Sequence, residues 1–135
     1  MAQRFIIVDD DPTHNMICGY AIKRAFNRAF KNFDVRSFQF PAEALKFIAS
    51  EYNDTTVQTP TTLFLDINMP EINGWDFLNA FAEMDEHIQK QFIIYVLSSS
   101  IDPADKAKAK SNVHIRDFLS KPLLTSDVER LTELN

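Results

Sequence analysis

At 135 residues the chain fits one domain and can bury a single core without staples, and Cys18 is its only cysteine. A net charge of −5 makes the chain a poor candidate for a phosphate-backbone binder, so no direct nucleic-acid role is expected. No apolar run approaches a bilayer span, no charged-then-apolar leader opens the chain, and 2 glycines are too few for a glycine-rich phosphate cradle. The expectation is a cytoplasmic protein with no membrane insertion, forming one domain over residues 1–135.

Phe5-Ile6-Ile7-Val8 reads as a strand buried on both faces. Asp9-Asp10-Asp11-Pro12 follows, and Asp11 before Pro12 has the form of an N-cap and first-turn proline. A helix is expected from Thr13 to Asn32, with Cys18, Ile22, Ala25 and Ala29 on one face. Val35 to Phe40 reads as a second strand, and Pro41 opens a helix carrying Ala44, Leu45 and Ile48. Glu51 to Thr62 is a long polar connection with no assigned role. Thr61 to Asp66 is a third strand, stopped by Pro70. Trp75, Leu78, Phe81 and Ala82 mark the next helix face.

Phe92 to Leu97 is a fourth strand running into Ser98, and Asp102-Pro103 repeats the cap-and-proline signal before a helix to about Asn112. Ile115 to Ser120 is the last strand, followed by Lys121-Pro122, whose peptide bond is expected to be cis. Ser126 and Glu129 have capping-box spacing ahead of Val128, Leu131 and Leu134. Strands alternating with helices imply an α/β fold with a parallel sheet and helices on both faces.

In a parallel sheet all strand carboxyl ends share one edge, where ligands bind in open α/β folds. The first strand ends in Asp9 and Asp10, the third in Asp66, the fourth in Ser98 and the fifth in Lys121. If the middle strands are neighbours, these groups meet. Three close carboxylates repel, and a hard divalent cation with oxygen ligands, such as Mg²⁺, relieves that. A cation, a lysine and a hydroxyl around Asp66 describe a phosphoryl site, with Asp66 as the nucleophile that forms an acyl phosphate.

Nearly the whole chain resembles the receiver domain of bacterial two-component response regulators, in the single-domain, chemotaxis-regulator-like form. The resemblance rests on Ile7-Val8-Asp9-Asp10-Asp11-Pro12, Leu65-Asp66-Ile67-Asn68-Met69-Pro70 with Gly74, Leu97-Ser98-Ser99 and Lys121-Pro122. It implies a doubly wound, flavodoxin-like (βα)5 fold with strand order 2-1-3-4-5. It implies Asp66 as phosphoacceptor and Lys121 as the phosphoryl's cationic partner. Asp10 would bind Mg²⁺ directly, Asp9 mainly through water, and Asn68 through its main-chain carbonyl. Ser98 and Phe118 would form the switch. Implied partners are a sensor histidine kinase or phosphotransfer protein, and a downstream protein or second copy at the fourth helix, fifth strand and fifth helix. No output domain is expected, and no enzyme activity beyond the chain's own phosphorylation and dephosphorylation.

The chain departs from the family in three places. It lacks the usual glycine turn before the last strand, it has the long 51–62 connection, and Phe118 stands where a tyrosine is frequent. A phosphatase of the haloacid dehalogenase type also uses an aspartyl nucleophile and Mg²⁺. It needs a second carboxylate two residues on, where this chain has Asn68. A flavodoxin would meet its phosphate with Asp9-Asp10-Asp11, anion against anion. A degenerate receiver acting as a constitutive binding module would not need the intact acidic pair, Asp66 and Lys121. His14, His87 and His114 lack ligand spacing and are expected on the surface; Cys18 and Trp75 are expected to pack, and Lys106, Lys108 and Lys110 to face solvent.

Overall fold

The computed structural model describes residues 2–53, 59–100 and 102–134. Five strands form one parallel sheet: β1 (Gln3–Val8), β2 (Phe33–Phe38), β3 (Thr61–Asp66), β4 (Phe92–Ser98) and β5 (Ile115–Ser120). Their spatial order is β2-β1-β3-β4-β5, the doubly wound order expected. The helices are α1 (Pro12–Arg28), α2 (Pro41–Glu51), α3 (Gly74–Ala82), α4 (Glu86–Gln89), α5 (Pro103–Ser111) and α6 (Thr125–Leu131). The one-turn α4 was not foreseen. It makes the fourth and fifth helices of the sequence reading α5 and α6.

The sheet divides the core in two. On one face Phe5, Ile7, Phe64, Tyr95 and Leu97 pack under Cys18, Ile22 and Phe26 of α1 and Val128 of α6. On the other, Ile6, Val8, Leu63, Leu65 and Val96 pack under α2, α3 and α5. Phe5 stacks on Phe64 at 6.3 Å and Phe64 on Tyr95 at 5.8 Å, a row of rings across β1, β3 and β4. Each such ring contributes roughly 1.5–3 kcal/mol by leaving water. β3 is buried along its whole length, whereas β2 alternates between half-buried and exposed at the sheet edge.

Helix ends explain most boundary differences. Asp11 caps α1 as expected, accepting from the Thr13 amide at 2.9 Å. The helix stops at Arg28 rather than Asn32, because Phe30 adopts φ 55. The Lys31 amide then donates to the Phe26 carbonyl at 3.0 Å and the Phe30 amide to Asn27 at 3.2 Å. That is a Schellman turn, and it lets β2 begin at Phe33 instead of Val35. In α3 the buried residues include Phe77, Leu78 and Phe81, while Trp75 is half-buried and Ala82 exposed. The capping contact of α6 falls two residues earlier than expected. The Leu124 amide donates to Asp127 Oδ2 at 3.0 Å, so Asp127 reaches back in place of Glu129.

His14 is the largest correction: it is buried, not on the surface. His87 is exposed as expected, and His114 is half-buried with its ring perpendicular to that of Phe81. Within the 51–62 connection, residues 54–58 lie outside the described residues.

Candidate functional site

The carboxyl ends of the strands bring the expected polar groups together. Asp9, Asp10 and Asp66 each offer a carboxylate oxygen, all within 4.8 Å of one another. Asp66 closes β3 and Asp9 follows β1, both buried; Asp10, one residue on, is exposed. The β1–β3 pairing puts Val8 beside Leu65, which sets the two acidic ends side by side.

Lys121 bridges the pair. Its Nζ lies 2.9 Å from Asp9 Oδ2 and 3.1 Å from Asp66 Oδ1. The Lys121 amide donates to the Ser98 carbonyl at 2.9 Å, one rung past the Ser98–Ser120 pair, so the β4–β5 ladder carries Lys121 to the sheet edge. The Lys121–Pro122 bond is cis, as expected.

The electrostatics separate the two buried carboxylates. Burial raises the pKa of Asp9. Donors from His14, the Asp11 amide and Lys121 outweigh that and bring it down to about 2. Burial and the neighbouring Asp9 charge push Asp66 up to about 6, against the pull of Lys121 and the Asn68 amide. Burial lowers Lys121, but Asp9 and Asp66 more than reverse it, so its pKa is raised and it stays cationic. Asp66 is therefore the less stabilised anion of the pair, the electron-rich group that an electrophile or a cation would relieve.

The turn after β3 is built for close approach. A Cβ on Gly74 would come within 2.8 Å of the Asp66 carbonyl oxygen and of Ile67 Cα. Only glycine lets α3 start there, with its amide donating to the Ile67 carbonyl at 2.9 Å. Asn73 caps the helix, accepting from Asp76 at 2.9 Å while Asp76 accepts from the Asn73 amide at 3.1 Å. The Asn68 amide donates to Asp66 Oδ1 at 3.2 Å, and Asn68 Nδ2 donates to Ser98 Oγ at 3.4 Å. Ser98 Oγ also accepts from the Ser100 amide at 3.1 Å.

Phe118 does not join this cluster. It is half-buried on β5, beside Val96, against the face that α2, α3 and α5 cover. Ser98 lies two residues beyond Val96, opposite Ser120, on that same face.

Sequence reasoning missed two residues that contact Asp9. His14 Nδ1 lies 2.6 Å from Asp9 Oδ2, and Asn15 Nδ2 donates to the Asp9 carbonyl at 2.9 Å. The signal for His14 was present: it stands one helical turn before Cys18, on the stripe read as buried.

The family profile of the response regulator receiver domain matches residues 5–133, and the chain belongs to that family. A two-component response regulator of rice, Oryza sativa subsp. japonica, is 25% identical over 95% of this chain and 53% of its own length. The chain thus spans about half the length of the curated relatives it matches. Among solved structures, a two-component response regulator from Cytophaga hutchinsonii has a TM-score of 0.84 at 26% identity, covering 98% of this chain and 95% of that one. A response regulator receiver protein from Dyadobacter fermentans has a TM-score of 0.78 at 27% identity, covering 98% of each. Among the described residues, no helix is long and apolar enough to cross a membrane.

Proposed function

We propose that this receiver accepts a phosphoryl group on Asp66 from the phosphohistidine of a sensor histidine kinase or phosphotransfer protein. The carrying observation is the contact of Asp66 Oδ1 with Lys121 Nζ at 3.1 Å, beside two further carboxylates. An Asp66 oxygen forms a bond to phosphorus as the phosphorus–nitrogen bond of the donor breaks, and the departing imidazole takes up a proton. Lys121 supplies fixed positive charge to the transferring oxygens.

The donor set also fits Mg²⁺. Three carboxylates converge with one lysine, so their negative charge exceeds the countercharge at hand, and hard oxygen ligands suit that ion. Asp10, Asp66 and the main-chain carbonyl of Asn68 would hold it directly, and Asp9 mainly through water. When bound, it would neutralise charge on the phosphoryl oxygens.

Phosphoryl on Asp66 draws the Ser98 hydroxyl away from Asn68 and Ser100 into a charge-assisted hydrogen bond. The space released beside β4 is filled by Phe118 turning inward, by packing alone. The surface of α5, β5 and α6 then changes and is read by a downstream protein or a second copy of the chain. Phosphoryl must favour the inward state through these differential contacts.

Incubation with acetyl phosphate and Mg²⁺, followed by intact mass, tests the acceptor. One phosphoryl should appear on the wild type and none on Asp66→Asn; equal uptake by both defeats the assignment. Amide shifts with and without beryllofluoride test the switch. If Ser98, Phe118 and the α5–β5–α6 face stay put at full occupancy, the proposed switch is wrong.

A further inference from the structure

Lys121 is only one of the groups that hold Asp9. Asp9 Oδ1 accepts from the Asp11 amide at 2.9 Å. Oδ2 carries two contacts, Lys121 Nζ at 2.9 Å and His14 Nδ1 at 2.6 Å. An ionised carboxylate can only accept, so the proton between Asp9 and His14 sits on Nδ1. The imidazole is 8% exposed and is backed by Cys18, whose Sγ lies 3.6 Å from Nδ1 and 3.7 Å from Nε2. Asn15 holds the Asp9 main chain from the next position of α1.

A buried histidine beside a carboxylate is commonly an ordinary, satisfied core residue. Here it binds the one oxygen that also receives Lys121, and Lys121 is shared with Asp66. Whatever fixes Asp9 Oδ2 therefore fixes the lysine.

We propose that His14 is a positioning residue for phosphoryl transfer. Its Nδ1–H pins Asp9 Oδ2 and so sets where Lys121 Nζ stands relative to Asp66. This rests on the phosphoacceptor reading. With two donors on Oδ2, Asp9 does not draw the lysine wholly to itself. With His14 gone, Lys121 would be the only side-chain donor on that oxygen among the described residues. The carboxylate is free to turn toward it, and Asp66 loses part of its countercharge. His14 touches neither Asp66 nor Lys121 and acts only through Asp9.

Three substitutions separate position from packing. His14→Leu fills the buried space without a donor. His14→Asn hangs an N–H from the same branch atom that carries Nδ1. His14→Gln places its N–H one carbon further out. The first readout needs no phosphoryl: the Lys121 Nζ and Asp9 carboxylate chemical shifts in the metal-free protein. Both should move in His14→Leu and His14→Gln and return toward wild type in His14→Asn. The second is phosphoryl uptake from acetyl phosphate with Mg²⁺. The maximal rate should fall about tenfold in His14→Leu, with donor half-saturation unchanged, as for loss of one charge-assisted hydrogen bond. His14→Asn should recover most of it.

A His14→Leu protein with wild-type shifts and rate overturns the proposal. So does a folded His14→Asn protein indistinguishable from His14→Leu. Should the variants fail to fold, the imidazole nitrogen spectrum of the wild type decides, since an unprotonated Nδ1 also overturns it. Absence of phosphoryl uptake by the wild type defeats the acceptor reading instead, and the metal-free shifts still decide His14.

Discussion

Lys108 Nζ stands 4.8 Å over the ring of Trp75, so the first turn of α3 is tied to α5. Trp75 follows Gly74, whose approach to the Asp66 backbone starts that helix. The contact therefore runs from the turn beside Asp66, the proposed acceptor, to the surface proposed to signal. A cation over an indole at a partly exposed site contributes about 0.5–1 kcal/mol. A double-mutant cycle with Lys108→Met and Trp75→Leu, read by urea unfolding, should return a coupling of about that size. A coupling near zero would show that the two side chains are merely adjacent.

Metal-free Asp66 should destabilise the fold at neutral pH. Its pKa is raised from 3.8 to about 6, so its contribution is most favourable below the unfolded value and is lost as pH rises through about 6. In chelator at pH 7.5, Asp66→Asn should be the more stable protein, by roughly 3 kcal/mol. The advantage should vanish near pH 3.5, where both forms are neutral. Urea midpoints at the two pH values check this, and a less stable Asp66→Asn protein at pH 7.5 would contradict it. Added Mg²⁺ should raise the midpoint of the wild type more than that of the variant.

Gly74→Ala should cost about 2 kcal/mol or more, because its Cβ meets backbone rather than a movable side chain. The expected clash distance is 2.8 Å to both the Asp66 carbonyl oxygen and Ile67 Cα. By contrast, Gly19→Ala places its Cβ in open space within α1 and should stabilise by a few tenths to about 1 kcal/mol. Thermal unfolding of the pair gives the two signs.

Cys18 should resist alkylation in the folded protein. Burial, with the Asp9 and Asp66 charges, pushes its thiol up to about 12, and Lys121 only partly opposes this. Iodoacetamide at pH 8 should add mass only in step with urea unfolding. The raised pKa also means that stability present below pH 9.0 falls as pH climbs toward 12, because the unfolded thiol ionises first. Rapid alkylation without denaturant would place Cys18 outside the core.

The strand pattern alone carried the five βα units and the delivery of Asp9, Asp10, Asp66, Ser98 and Lys121 to one sheet edge; that they meet there also needed β1, β3, β4 and β5 to be neighbours. Those are properties of local periodicity and of a parallel sheet, in which every strand delivers its last residue to one edge. The Asp11 cap and the third strand, Thr61 to Asp66, were legible for the same reason: cap chemistry and the proline stop act within a few residues. The order of the strands came from resemblance, and pairing between distant segments decides it. The stripe through Cys18 marked the position of His14 as inward, but only the folded chain decided that it meets Asp9, a partner five residues away across a helix start. The end of α1 depended on Phe30 taking a left-handed conformation that its residue type disfavours. The division of Asp9 from Asp66 was likewise invisible in sequence. Both are aspartates at strand ends, and the donors around each, drawn from the start of α1, from Lys121 after β5 and from the turn after β3, hold the pKa of Asp9 down and leave that of Asp66 raised.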